Sequence, residues 1–188
     1  MADGELSDRL RGRELLLGET SSLFAFAQVG HAHTLLEWFG DALWVVREVY
    51  DELLRNRLRF AASERLICHL EQCGRVVELS PEGVTWVART AAFFRTRCDH
   101  GRKNVGELAT ARLAGELLQA GRLPIVLVDD RLGVEVCRRF AAPVIATHEV
   151  VIEMVRAGAL SRFEGARVWR GLKRSGPDYE RRVGTQAS

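Results

Sequence analysis

The segment that most limits how this chain can fold is Pro124-Ile125-Val126-Leu127-Val128-Asp129-Asp130. It is short, nearly all apolar and rich in β-branched residues, and it ends on two carboxylates. A continuous apolar run of this length predicts a strand buried on both faces, as in a parallel sheet covered by helices. Upstream, Gly106 through Ala114 reads as a helix opening on an acid, Glu107, and Gly121 breaks the chain between helix and strand. In open parallel sheets, ligands bind beyond the carboxyl ends of the strands. Asp129 and Asp130 stand at such an end.

The same alternation runs through the rest of the sequence. Glu14-Leu15-Leu16-Leu17, closed by Gly18, reads as the first strand. Ser21 or Ser22 then supplies an N-cap for a helix through Gln28. Gly30 breaks that helix, and a second short one covers residues 33–39 with Leu35, Leu36 and Phe39 on one face. Further strands are expected at 42–46, 75–79 and 142–146. Helices are expected at 47–59, with Val49, Leu53 and Leu54 inward, and at 64–72. Pro81 suits the first turn of the next helix, which runs to Arg97 with Trp86, Ala88, Phe93 and Phe94 as its apolar side. Asp129 or Asp130 caps a helix over 131–140, Thr147 caps one through Ala157, and residues 161–173 form the last. This order predicts an α/β fold: a three-layer α/β/α sandwich around a mostly parallel sheet of about four to five strands. Residues 14–173 form the expected domain, with 1–13 as an arm and 174–188 as a tail.

Composition excludes more than it selects. The 188 residues are 47% apolar and 28% charged with a formal charge of +2, so no polyelectrolyte character demands a nucleic-acid partner. Lys103 and Lys173 are the only lysines, so almost every cation is an arginine. Arginine suits bidentate phosphate contacts, but a biased nucleotide composition gives the same skew. Cys68, Cys73, Cys98 and Cys137 make no dense framework and read as reduced thiols of a cytoplasmic protein. No stretch has the length or apolarity of a signal core or a membrane span, so no membrane partner is expected. The cysteine and histidine spacings match no usual zinc pairing, and His31 and His33 read as surface residues after Gly30. Neither a dinucleotide fingerprint nor a phosphate loop is present.

The acids are more informative. Glu19 follows the first strand, Glu52 lies on the helix after the second, and Glu107 opens the helix before the strand that ends on Asp129 and Asp130. If the first and fourth strands are neighbours, Glu19 and Asp129 lie side by side, with Glu52 and Glu107 reaching in from helices. Carboxylates crowded this way raise one another's pKa unless a cation is present. Mg²⁺ takes oxygen ligands from one or two carboxylates and a substrate phosphate, and such a centre promotes phosphodiester cleavage. The alternative is that these acids cap helices and favour helix dipoles.

Over roughly residues 14–172, four boxes in order resemble the PIN-domain family, particularly its bacterial branch of toxin ribonucleases. Glu19-Thr20-Ser21-Ser22-Leu23-Phe24 looks like the opening Asp-x-Ser-x-Leu box, and Val46 through Leu53 like the second acidic helix. Gly106-Glu107 through Ala114 is similar to the Gly-Glu…Ala-x-x-Leu-Ala helix. Val128-Asp129-Asp130-Arg131 through Arg139, followed by Pro143-Val144-Ile145-Ala146-Thr147, is similar to the final acidic turn and last strand. The resemblance implies a metal-dependent endoribonuclease that uses Mg²⁺ or Mn²⁺, with Glu19, Glu52, Glu107 and Asp129 as catalytic acids and Asp130 as an alternative or additional ligand. Ser21 matches the hydroxyl residue that steadies the first acid or a metal water. Arg102, Lys103 and Arg131 are candidate contacts for the RNA backbone; the alternative is that they balance nearby acids. Expected partners are RNA, an antitoxin-like protein that fills the acidic cleft with a basic side chain, and a second copy of the chain. One position departs from the pattern: Glu19 stands where the family has Asp. The added methylene leaves open a pocket shifted to suit, a preference for Mn²⁺, or lost activity in a PIN-like module that binds RNA or protein without cutting.

Overall fold

The computed structural model describes residues 15–57, 64–97 and 105–175. Five strands form one all-parallel sheet: β1 (Leu15–Gly18), β2 (Leu43–Val46), β3 (Val76–Val77), β4 (Pro124–Leu127) and β5 (Val144–Ile145). Their order is β3-β2-β1-β4-β5. Leu16 pairs with Leu43 on one side of β1, and Leu15 through Gly18 pair with Pro124 through Leu127 on the other. The chain first builds outward from β1 to β3, then crosses back to add β4 and β5. The direction of building therefore reverses between β1 and β4, and this is the switch point beyond which ligands bind in open parallel sheets.

The helices are α1 (Thr20–Gln28), α2 (Ala32–Phe39), α3 (Arg47–Asn56), α4 (Glu64–Gln72), α5 (Pro81–Arg97), α6 (Val105–Gln119), α7 (Arg131–Arg139), α8 (Thr147–Arg156) and α9 (Arg162–Ser175). A 3-10 turn, Gly40–Ala42, leads into β2. Helix α6 lies against β1, β2 and β4, with α3, α5 and α7 beside it. A second connected group joins α9 to α8 and α1, α1 to α2, and α2 to α4. With helices flanking the sheet, the fold is the expected α/β/α sandwich. All four residues of β4 are buried, as its unbroken apolar run requires. Leu16, Leu17, Phe26, Leu43, Leu108, Ile125, Leu127 and Met154 are among the core residues at 2% exposure or less.

Several local expectations are corrected. Strands 42–46, 75–79 and 142–146 contract to Leu43–Val46, Val76–Val77 and Val144–Ile145 because only those residues find a paired neighbour. Along α5 the buried stripe is Gly83, Val87 and Ala91, spaced one helical turn apart. Ala88 is exposed and Phe93 is 53% exposed, so neither belongs to the apolar side; the Phe94 side chain lies outside the described residues. Trp86 is half-buried and meets Phe140 edge-on, ring centroids 5.2 Å apart. His31 is half-buried rather than superficial, and burial holds its pKa below the ordinary value. Helix α9 spans Arg162–Ser175 rather than the expected 161–173.

Candidate functional site

Where β1 ends, the backbone of Glu19 is extended (φ −99°, ψ 161°), and its N–H donates to the Leu127 carbonyl of β4 at 3.4 Å. The side chain then folds back over the first turn of α1. Oε1 accepts the Ser22 N–H at 2.9 Å, the Ser22 hydroxyl at 2.8 Å and the Ser21 hydroxyl; Oε2 accepts the Ser21 N–H at 3.3 Å. Glu19 is thus itself the N-cap of α1, in place of the expected Ser21 or Ser22. Its carboxylate reaches amides two and three residues on, as an N-cap does. Glu19 is only 1% exposed. Burial pushes its carboxyl above the ordinary range, and the Ser21 and Ser22 donors partly oppose that.

The β4 acids divide two tasks. Asp130 Oδ1 accepts the N–H groups of Leu132 (2.7 Å) and Gly133 (3.2 Å), so Asp130 is the α7 cap. Asp129 points the other way, to the start of α8. Oδ1 accepts the Thr147 N–H at 2.8 Å, and Oδ2 accepts the Thr147 hydroxyl and, at 3.2 Å, the Ser22 hydroxyl. Thr147 is not the cap of α8 but its first helical residue. Ala146 holds the cap position, and its N–H donates to Glu149 at 2.7 Å.

Glu52 and Glu107 come in from α3 and α6. The Thr20 hydroxyl donates to Glu52 Oε2 at 2.8 Å. Gly106 sits against that pair: a Cβ there would lie 3.2 Å from Glu52 Oε2 and 3.4 Å from Thr20 Oγ1. Gly133 lies beside Glu107, its missing Cβ 3.6 Å from Glu107 Cβ and Cγ. The two glycines let α6 and α7 bring Glu107 in among the other acids. Burial pushes the Glu107 carboxyl up to about 8, and the charges of Glu19, Glu52 and Asp130 push the same way. Its Oε2 is buried with no hydrogen-bond partner.

The expected acids therefore share one edge of the sheet. Glu19, Glu52 and Asp130 each act electrostatically on Glu107, and Asp129 touches Glu19 through Ser22. The donor set is all oxygen, as a hard divalent ion requires, and the unpartnered Glu107 Oε2 is the atom that such an ion would satisfy. The side chains do not form a ready cage: among the described residues no three His, Cys, Asp or Glu are grouped to hold a metal. The oxygens of Glu19 and Asp129 are turned onto helix starts instead. Ser21 is exposed and bonds Glu19. Arg131 is exposed at the first position of α7, while Arg102 and Lys103 lie outside the described residues. The carboxylate partners Thr20, Ser22 and Thr147 were not read as site residues. Each is a hydroxyl in the first turn of a helix, which in sequence looks the same as an ordinary cap.

Fold and edge together define the class: a parallel α/β protein with carboxylates gathered at the switch point of its sheet. Comparison with known proteins returned no match to a family model, a characterised protein or a solved structure. Among the described residues, no helix is long and apolar enough to cross a membrane.

Proposed function

We propose that this chain is a PIN-type, divalent-metal-dependent endoribonuclease. The observation that carries the reading is Glu107: a buried carboxyl with an unpartnered oxygen, pushed up to about 8 among three other acids beyond β1 and β4. A site of that kind is relieved by a proton or by a cation, and a divalent ion would offset several of its charges at once. Glu19, Glu107 and Asp129 would hold Mg²⁺ or Mn²⁺, with Glu52 and Asp130 completing the negative field. When bound, the ion supplies Lewis acidity toward water and toward the charge that develops on phosphorus. The chain's own groups do the rest. Ser21 and Ser22 steady Glu19, Thr147 steadies Asp129, and Arg131, at the mouth of the edge, meets the RNA backbone.

A second reading has its own support. The bonds that Glu19 and Asp129 make to helix starts suit a PIN-like module that binds RNA or protein without cutting. Asp129→Asn separates the two. The variant is expected to melt cooperatively and to lose metal-stimulated cleavage of RNA by at least about a hundredfold. Undiminished cleavage would remove Asp129 from the chemistry, and absence of metal-stimulated cleavage in the unaltered chain would favour the binding module.

A further inference from the structure

The hydroxyl of Ser22 touches both acids that end the two central strands. Its Oγ lies 2.8 Å from Glu19 Oε1 and 3.2 Å from Asp129 Oδ2, in a residue with 0% exposure. The neighbouring hydroxyls each serve one acid: Thr20 serves Glu52, Ser21 serves Glu19 and Thr147 serves Asp129. Among the described residues, Ser22 alone bridges the β1 acid to the β4 acid by its side chain. A hydroxyl carries one proton, so Ser22 donates fully to one acid at a time, and the shorter contact is to Glu19.

We propose that Ser22 is a positioning residue for the divalent-ion site, holding Glu19 at a fixed separation from Asp129. This rests on the metal-dependent reading above; the resemblance in sequence assigns the supporting hydroxyl to Ser21 and gives Ser22 no role. Ser21 is exposed and reaches only Glu19, so it cannot set the distance between the two acids. Ser22 faces inward on the third position of α1 and is the side chain that can. It also answers the extra methylene of Glu19. The longer acid folds back onto α1, and a hydroxyl one residue beyond Ser21 meets it there while still reaching β4.

Ser22→Ala is a mild change. Glu19 keeps the Ser22 N–H and the Ser21 donors, and Asp129 keeps both Thr147 donors. Only the bridge is lost. The test is calorimetric titration of the full chain with MnCl₂, with the electron paramagnetic resonance of bound Mn²⁺ as a second readout. It compares the unaltered protein, Ser22→Ala, Glu19→Gln and the double variant, all below their melting temperatures. Ser22→Ala is expected to weaken Mn²⁺ binding about 10- to 100-fold, the range for a residue that orients a ligand. It should change affinity by less than about twofold in the Glu19→Gln background, because the acid it positions is already gone. Affinity within twofold of the unaltered protein in Ser22→Ala would overturn the proposal and leave the metal site standing. Equal losses in both backgrounds would overturn it as well, reducing Ser22 to a packing residue. No Mn²⁺ binding by the unaltered chain at millimolar metal would overturn the metal reading itself, and the positioning role with it.

Discussion

Glu107 concentrates the conflict of the site in one carboxyl. Its carboxyl is pushed up to about 8, and its Oε2 is buried without a hydrogen-bond partner. Glu107→Gln keeps its shape, removes its charge and adds an N–H₂ donor beside carboxylates. At pH 8 without metal, this variant is expected to be more stable by about 1 kcal/mol, a rise in Tm of roughly 2–4 °C for a domain of this size. The same substitution should abolish any rise in Tm on adding Mn²⁺. Thermal melts with and without the ion check both, and a lower Tm in metal-free buffer would contradict the conflict described here. At this scale the sequence was readable where charge interrupts apolarity: Glu19, Glu107 and the Asp129-Asp130 pair stand out at the limits of apolar or helical runs. Ser22 and Thr147 were not readable as carboxylate partners. A hydroxyl at a helix start has the same local signature whether it caps its own turn or bonds an acid more than a hundred residues away, as Ser22 does with Asp129.

Elements were legible in kind and in order, because apolar runs and helical stripes are properties of contiguous residues. Their ends were less legible, because ends are decided by neighbours. Strand β5 pairs through only two residues although five looked extended, and the first N–H of α8, that of Thr147, is held by Asp129 from the turn after β4. The docking of α7 shows how much an element's place depends on one small residue. A Cβ at Gly133 would lie 2.5 Å from Val128 Cγ2, and Val128 is buried and β-branched, with little rotamer freedom to yield. Overpacking costs about 1–3 kcal/mol, and alanine returns up to about 1 kcal/mol of helix propensity. Gly133→Ala is therefore expected to destabilise the protein by about 1–2 kcal/mol in urea unfolding, the reverse of the usual gain from replacing a helical glycine. A stabilised variant would mean that α7 can shift away from the end of β4.

For the whole molecule, the acidic edge sets how stability varies with pH. Glu107 titrates at an ordinary 4.5 in the unfolded chain and at about 8 in the folded one. Between those values the folded state holds a proton that the unfolded state has released, so stability must fall as pH rises. The contribution is fully present below about 4.5 and is lost through about 8; the raised carboxyl of Glu19 acts in the same direction. Melts across this range in metal-free buffer should show the decline, and a divalent ion at a hundred times its Kd should add about 2.7 kcal/mol. A flat profile would mean that Glu107 is not buried as described. The strand order carries a last consequence. Glu19 and Glu52 belong to the part of the chain that builds β1 to β3, whereas Glu107, Asp129 and Asp130 belong to the part that adds β4 and β5. The acids thus meet across a seam between an early and a late half of the polypeptide, which join at β1 and β4. Folding closes that seam by taking up protons or by facing repulsion, so any cation lodged there would work as a rivet joining the halves before it worked as a reagent.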